Sequence, residues 1–187
     1  MPVWAIVLIV VIVLSVILAG AAISAKNAFV VLYNKVEEAF STMDVYLKKR
    51  WDLIPNIVET VKGYSKHEKE TLTEIVELRK ADYGKMSMAE KVEANNKFQE
   101  GITHFFALAE NYPELKASEN YRQLSEQLHS CEEDIANARK YYNACSRDYN
   151  NKVQMFPSCI FAAIFGYKKQ QLFSISQGER ENVKVKF

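Results

Sequence analysis

The chain has 187 residues, 24 basic against 23 acidic side chains and a formal net charge of +1. That balance, with no sustained basic patch, argues against nucleic acid as a partner, and the length fits one domain plus an anchor. Glycine and proline are scarce, six and four residues, while Glu, Lys, Ala and Leu are abundant, so helices are expected.

Val3 to Ala25 is a run of 23 residues without a charged side chain, and Lys26 carries the first charge after it. A helix needs roughly 20 apolar residues to cross a bilayer core. Residues 1–25 therefore read as a transmembrane anchor. A cleaved signal peptide is the rival, because Ala19-Gly20-Ala21 resembles a small-residue cleavage site. Against it, no Lys or Arg precedes the run, and the run is longer than an ordinary signal core. A buried core helix, apolar on every face, would need a larger protein around it.

After the anchor, residues 26–156 read as a helical bundle. Phe29, Leu32, Val36, Phe40, Met43, Leu47, Ile54, Val58 and Val61 follow helical spacing, with a gap near Arg50. This first helix continues from the span to about Tyr64, with a kink at Pro55 and the joint near Asp52 or Leu53. A second helix is expected from His67 to Tyr83, closed by Gly84. A third begins at the capping box Ser87 to Glu90 and ends before Pro113. Asn95 is a polar step in its stripe, suited either to fixing register or to facing water.

The fourth helix carries the longest stripe, from Tyr121 through Leu124, Leu128, Cys131, Ile135, Ala138, Tyr142, Cys145, Tyr149 and Val153 to Phe156. Ser118 is its N-cap and Pro157 its stop. Four helices on short connections alternate in direction. The fold class is therefore all-α: an N-terminal transmembrane helix continuing into an elongated antiparallel four-helix bundle. Parity returns Phe156 to the bilayer, beside Phe29.

Residues 157–187 form an apolar membrane-proximal segment and a C-terminal tail. Ile160, Phe161, Ile164, Phe165 and Tyr167, with Lys168 and Lys169 behind them, suit a headgroup boundary. The same segment could instead fold under the bundle as a lid. The last residues, Val183 to Phe187, alternate apolar and basic and suggest a strand-like clip.

No active site emerges. His67-Glu68 lacks the second histidine of HExxH, and no phosphate-binding glycine loop or nucleophile elbow occurs. Glu126-x-x-His129 occurs once, whereas bundle di-metal sites need two such pairs. The three cysteines, Cys131, Cys145 and Cys159, lack disulfide or zinc spacing. No enzyme, cofactor or metal is expected.

Several strings together resemble the LemA family: Tyr33-Asn34, Ala39-Phe40-Ser41, Met43 to Leu72 with its DLIPN, Ala109 to Leu128 with AENYPELKA, Ala138 to Val153, and Phe156 to Phe173. The resemblance implies a bacterial membrane-anchored helical protein without established enzymatic activity, and its kinship with a magnetosome protein implies a membrane-organising role. The cysteines depart from the family pattern. Among the shared residues, Asp44 and Lys48 are spaced as a helical pair, and Arg50, Asp52 and Asn56 follow them. Arg139 and Asn143 are likewise four apart. These seven suggest a polar network between helices or subunits, or a capped kink.

The expected role is a scaffold that self-associates at the membrane. Ser15/Ala19, Gly20/Ser24 and Ala21/Ala25 have the small-xxx-small spacing that lets membrane helices approach closely. The expected partners are the lipid bilayer and further copies of the chain. The alternative is an adaptor or regulator of another membrane protein, such as a protease or transporter. Lys26 and Lys35 follow the span and no basic residue precedes it, so the bundle is expected on the cytoplasmic side of the cell membrane.

Overall fold

The computed structural model describes residues 2–62 and 81–173. Among them there are six α-helices and no strand: α1 Val3–Asp52, α2 Ile54–Lys62, α3 Met88–Asn111, α4 Pro113–Lys116, α5 Glu119–Gln154 and α6 Ser158–Phe165. The all-α class stands, and α1 does run without a break from the apolar stretch into polar, amphipathic sequence. The expected helix from His67 to Tyr83 falls largely outside the described residues. At its expected end, Tyr83–Lys85 form a 3-10 turn instead, capped by the Asp82 carboxylate, which accepts from the Gly84 N–H.

The joint between α1 and α2 lies where Pro55 demands it. Proline has no N–H and is tolerated in the first turn of a helix, so α1 stops at Asp52 and α2 starts at Ile54. The Leu53 carbonyl accepts from the Asn56 and Ile57 N–H groups at 3.0 and 3.1 Å. The α3 capping box forms in both directions: Glu90 N–H donates to the Ser87 hydroxyl, and Ser87 N–H donates to the Glu90 carboxylate. Those bonds hold the Glu90 carboxyl below its ordinary range. Ser118 caps α5, its hydroxyl accepting from the Tyr121 N–H at 3.2 Å. The α5 helix ends at Gln154, three residues before Pro157.

The described chain divides into two compact units. The first comprises residues 2–41 with Arg139–Phe173, and the second comprises residues 42–62 and 81–138. In the first unit α1 and α5 are antiparallel and in heptad register. The Phe40 ring meets Tyr142 at 6.1 Å between centroids, and one heptad away Tyr33 meets Tyr149 at 5.8 Å. Beyond the end of α5, the Phe29 ring stacks on Tyr167 at 4.7 Å.

In the second unit the core is drawn from Met43, Leu47, Ile54, Phe98, Leu128 and Ile135, among others, all buried. Leu32, Phe40, Val58, Tyr121 and Val153 are only half-buried, and two further stripe positions on α5 differ. The α5 stripe buries Ser146 rather than Cys145, because its inward positions run Ala138, Tyr142, Ser146, Tyr149. Phe156 is 80% exposed, since α5 ends before it and the residue leaves the stripe.

Candidate functional site

No large side chain in the apolar part of α1 is covered by the rest of the described chain: from Val3 to Ile23 those on its surface are 50–77% exposed. The stretch is long and apolar enough to cross a membrane. Ser15 is satisfied within its own helix, its hydroxyl donating to the Val11 carbonyl at 2.8 Å. Ala19, Gly20, Ala21 and Ser24 are exposed, and nothing lies within 4 Å of where a Gly20 Cβ would stand. Ala25 is different: it is buried by the first unit and so is withdrawn from the small-residue face.

Where the apolar stretch ends, α6 docks. Ser158 and Ala162, four residues apart on one face, are buried. The Ser158 hydroxyl donates to the Lys152 and Met155 carbonyls at 2.6 and 2.8 Å, satisfying the last turn of α5. Tyr167 stacks on Phe29 at 4.7 Å, and the Lys26 ammonium lies 5.9 Å from the Phe165 ring centre. Phe161 stacks against Phe165 at 6.5 Å. Ile160 and Ile164 point away and are 51% and 69% exposed. One face of the segment therefore covers the first unit, and the other is open.

The turn out of α6 is a Schellman motif at Gly166. Its φ of 75° lies in the left-handed region, the Tyr167 N–H bonds the Ala162 carbonyl at 3.0 Å, and the Gly166 N–H bonds Ala163. The chain then runs back along α5 without regular structure from Tyr167 to Phe173. Two asparagines hold it. Asn150 Nδ2 donates to the Gln170 carbonyl and its Oδ1 accepts from the Gln170 N–H, both at 2.8 Å. Asn143 grips Phe173 in the same way. Tyr142 adds a bond from its hydroxyl to the Gln171 carbonyl at 3.0 Å.

The spacing explains the match. Seven helical residues rise about 10.5 Å, and three extended residues span about 10 Å. A helical heptad of asparagines is thus commensurate with every third residue of an extended strand. Of these holding residues, Asn143 is among the polar motif residues expected from the sequence, and the clip expected at Val183 to Phe187 lies outside the described residues. Asn150 is not among the expected residues, although it stands seven residues from Asn143.

In the second unit the polar residues of α1 form two centres. Arg50 is the gap in the early apolar stripe, and it is 1% exposed. Its Nη1 donates to Asn95 Oδ1 and pairs with Glu132 Oε2, both at 3.1 Å, and its Nη2 donates to the Gln99 side-chain oxygen. The guanidinium also lies 5.2 Å from the Phe98 ring centre. One cation from α1 thereby ties together α3 and α5, and Asn95 is its acceptor rather than a water-facing step. A buried cation of this kind requires paired acceptors, because desolvation is otherwise costly.

The second centre is Asp44. It does not pair with Lys48: Lys48 bonds Asp52, while both Asp44 oxygens turn to residues distant in sequence. Tyr83 Oη donates to Oδ1 at 2.7 Å and Lys91 Nζ to Oδ2 at 2.6 Å. Trp51 packs on the Tyr83 ring at 5.5 Å, and Lys91 sits 4.8 Å from its centre. Burial, reinforced by the Asp44 carboxylate, pushes the Tyr83 phenol far above its ordinary value.

The seven polar motif residues are divided between the two units. Asp44, Lys48, Arg50, Asp52 and Asn56 belong to the second unit, and Arg139 and Asn143 to the first. Asn56 is exposed and lines an open polar concavity of about 290 Å³ with Thr60, Asn120 and Gln123. Cys131 is buried, and burial raises its thiol pKa.

The LemA family model matches residues 39–187. Protein LemA of Metamycoplasma hominis is 26% identical over 162 residues, covering 84% of this chain and 73% of the relative. Magnetosome protein MamQ of Magnetospirillum gryphiswaldense is 22% identical over 173 residues, and Magnetosome protein MamQ 2 of Paramagnetospirillum magneticum is 24% identical over the same number. For both magnetosome proteins the match covers 79% of this chain but 64% of the relative, less than two thirds of their length. The match of the family model over most of its length establishes that this chain belongs to the LemA family.

Proposed function

We propose that the chain is a membrane-anchored, non-enzymatic scaffold that self-associates in the bilayer. The observation that carries this reading is α1 itself. Its apolar part has no covering within the described chain, and the same helix continues into the packed units. From Trp4 to Lys26 the helix is about 33 Å long at 1.5 Å per residue, close to the ~30 Å of a hydrocarbon core. Trp4 and Lys26 are residue types suited to the two interfaces.

Self-association runs through Ser15/Ala19 and Gly20/Ser24. At Gly20 a neighbouring helix can approach the backbone without displacing a side chain. Kinship with proteins named for the magnetosome supports a role in organising a membrane-bound structure. Lys26 and Lys35, with no basic residue ahead of the span, support a cytoplasmic position for the two units. A reporter fused after Phe187 reads that sidedness directly.

Light scattering of the full chain in detergent, across a wide concentration range, tests the assembly. Oligomers that dissociate in Gly20→Leu support the scaffold, and a monomer at every concentration defeats it. The alternative role, an adaptor for another membrane protein, predicts mainly heterotypic products on cross-linking in cells, where the scaffold predicts homotypic ones.

A further inference from the structure

We propose that the reversal at the end of the first unit, Met155 to Lys169, is a second membrane contact: a surface that rests in the headgroup layer of an anionic leaflet. The proposal rests on the membrane-spanning reading of α1 and adds a second, independent lipid site to it. Three observations carry it.

The first is position. α6 meets α1 through Phe165 at Lys26, and Tyr167 just beyond it stacks on Phe29, both within about one turn of the last residue of the apolar stretch. If α1 spans, those contacts put α6 at the level where the helix leaves hydrocarbon for water.

The second is an apolar surface that the first unit leaves open. Met155, Phe156, Ile160, Ile164 and Phe165 are 62, 80, 51, 69 and 37% exposed, while the opposite face, Ser158 and Ala162, is buried. Clustered exposed apolar side chains mark a contact surface, and a short helix with one docked and one apolar open face can lie in the interface plane.

The third is charge. Glu37 is the first acidic residue of the chain, and none occurs between Asp148 and Glu179. The residues around α6 instead carry exposed Lys26, Lys168 and Lys169. Cations without local carboxylates, beside apolar side chains, match anionic headgroups above acyl chains. A second copy of this unit would present the same lysines and repel.

The test uses the full chain in vesicles of phosphatidylcholine and phosphatidylglycerol, with photoreactive benzoylphenylalanine replacing Leu14, Phe156, Ile164 or Glu126, one at a time. Mass spectrometry then reads lipid-mass shifts on the labelled peptide. The expected result is lipid adducts at Leu14, Phe156 and Ile164 and none at Glu126. Adducts at Leu14 with Phe156 and Ile164 unreacted, or joined to another protein, overturn the proposal and leave the span intact. No lipid adduct at Leu14 removes the span and the proposal together. In Lys168→Gln with Lys169→Gln, the phosphatidylglycerol share of adducts at Ile164 should fall, and an unchanged share overturns the anionic preference.

Discussion

The carboxamide of Asn143 closes a ring with the backbone of Phe173: Nδ2 donates to the Phe173 carbonyl at 2.9 Å, and Oδ1 accepts from its N–H at 2.8 Å. An asparagine on a helix here does what a neighbouring strand would do, satisfying both backbone groups of one extended residue. Replacing it removes two bonds at once. Asn143→Ala is expected to cost about 1–2 kcal/mol and to free the segment from Tyr167 to Phe173. Limited chymotrypsin digestion should cut there faster, and Asn150→Ala, which frees Gln170, should likewise speed cleavage after Tyr167 and Leu172.

Arg50 should be the least replaceable polar residue of the second unit. Arg50→Ala leaves Asn95, Gln99 and Glu132 without their shared donor and opens a void beneath Phe98. Breaking a buried ionic group costs about 3–5 kcal/mol, with the lower end expected because Glu132 is 36% exposed. Arg50→Lys should rescue little, since an ammonium cannot reproduce the planar fork. Chemical denaturation in detergent, followed by Trp51 emission, measures both.

Alkaline pH should weaken the second unit through Tyr83. Its phenol titrates higher in the folded chain than its ordinary value of 10.0, so the folded state keeps a proton that the unfolded state loses. Stability from this group is complete below that ordinary value and declines as pH rises beyond it. Tyr83→Phe should cost about 1 kcal/mol at neutral pH through the lost Asp44 bond and should flatten the decline. Denaturant midpoints of both proteins across the alkaline range give the comparison.

Gly166 adopts a left-handed conformation that costs an ordinary residue about 1 kcal/mol. A Cβ there meets nothing within 4 Å, so the penalty is conformational alone. Gly166→Ala should lower stability by that amount, and Gly166→Asn by less, because asparagine tolerates this region.

Periodicity and punctuation were legible without coordinates. An uninterrupted apolar run dictates a helix that water cannot cover, Pro55 dictates a joint, and Ser87 with Glu90 dictates a helix start. All three are local, set by backbone sterics and hydrogen-bond supply within a few residues. The register of α5 on α1 was nearly legible too, because heptads of similar length can return to their origin in few ways.

Only tertiary structure decided where the polar residues go. Arg50 read as a gap in a stripe and is a buried junction, because its acceptors, Asn95, Gln99 and Glu132, come from helices far away in the chain. Asp44 sits at helical spacing from Lys48 yet bonds Tyr83 and Lys91, because a partly buried carboxylate gains more from partners that share its burial than from an exposed lysine. Ala25 has the spacing of an assembly residue and is buried within the chain's own first unit. Spacing names the residues that share a helix face, while burial and long-range partners, which spacing does not encode, determine what that face meets.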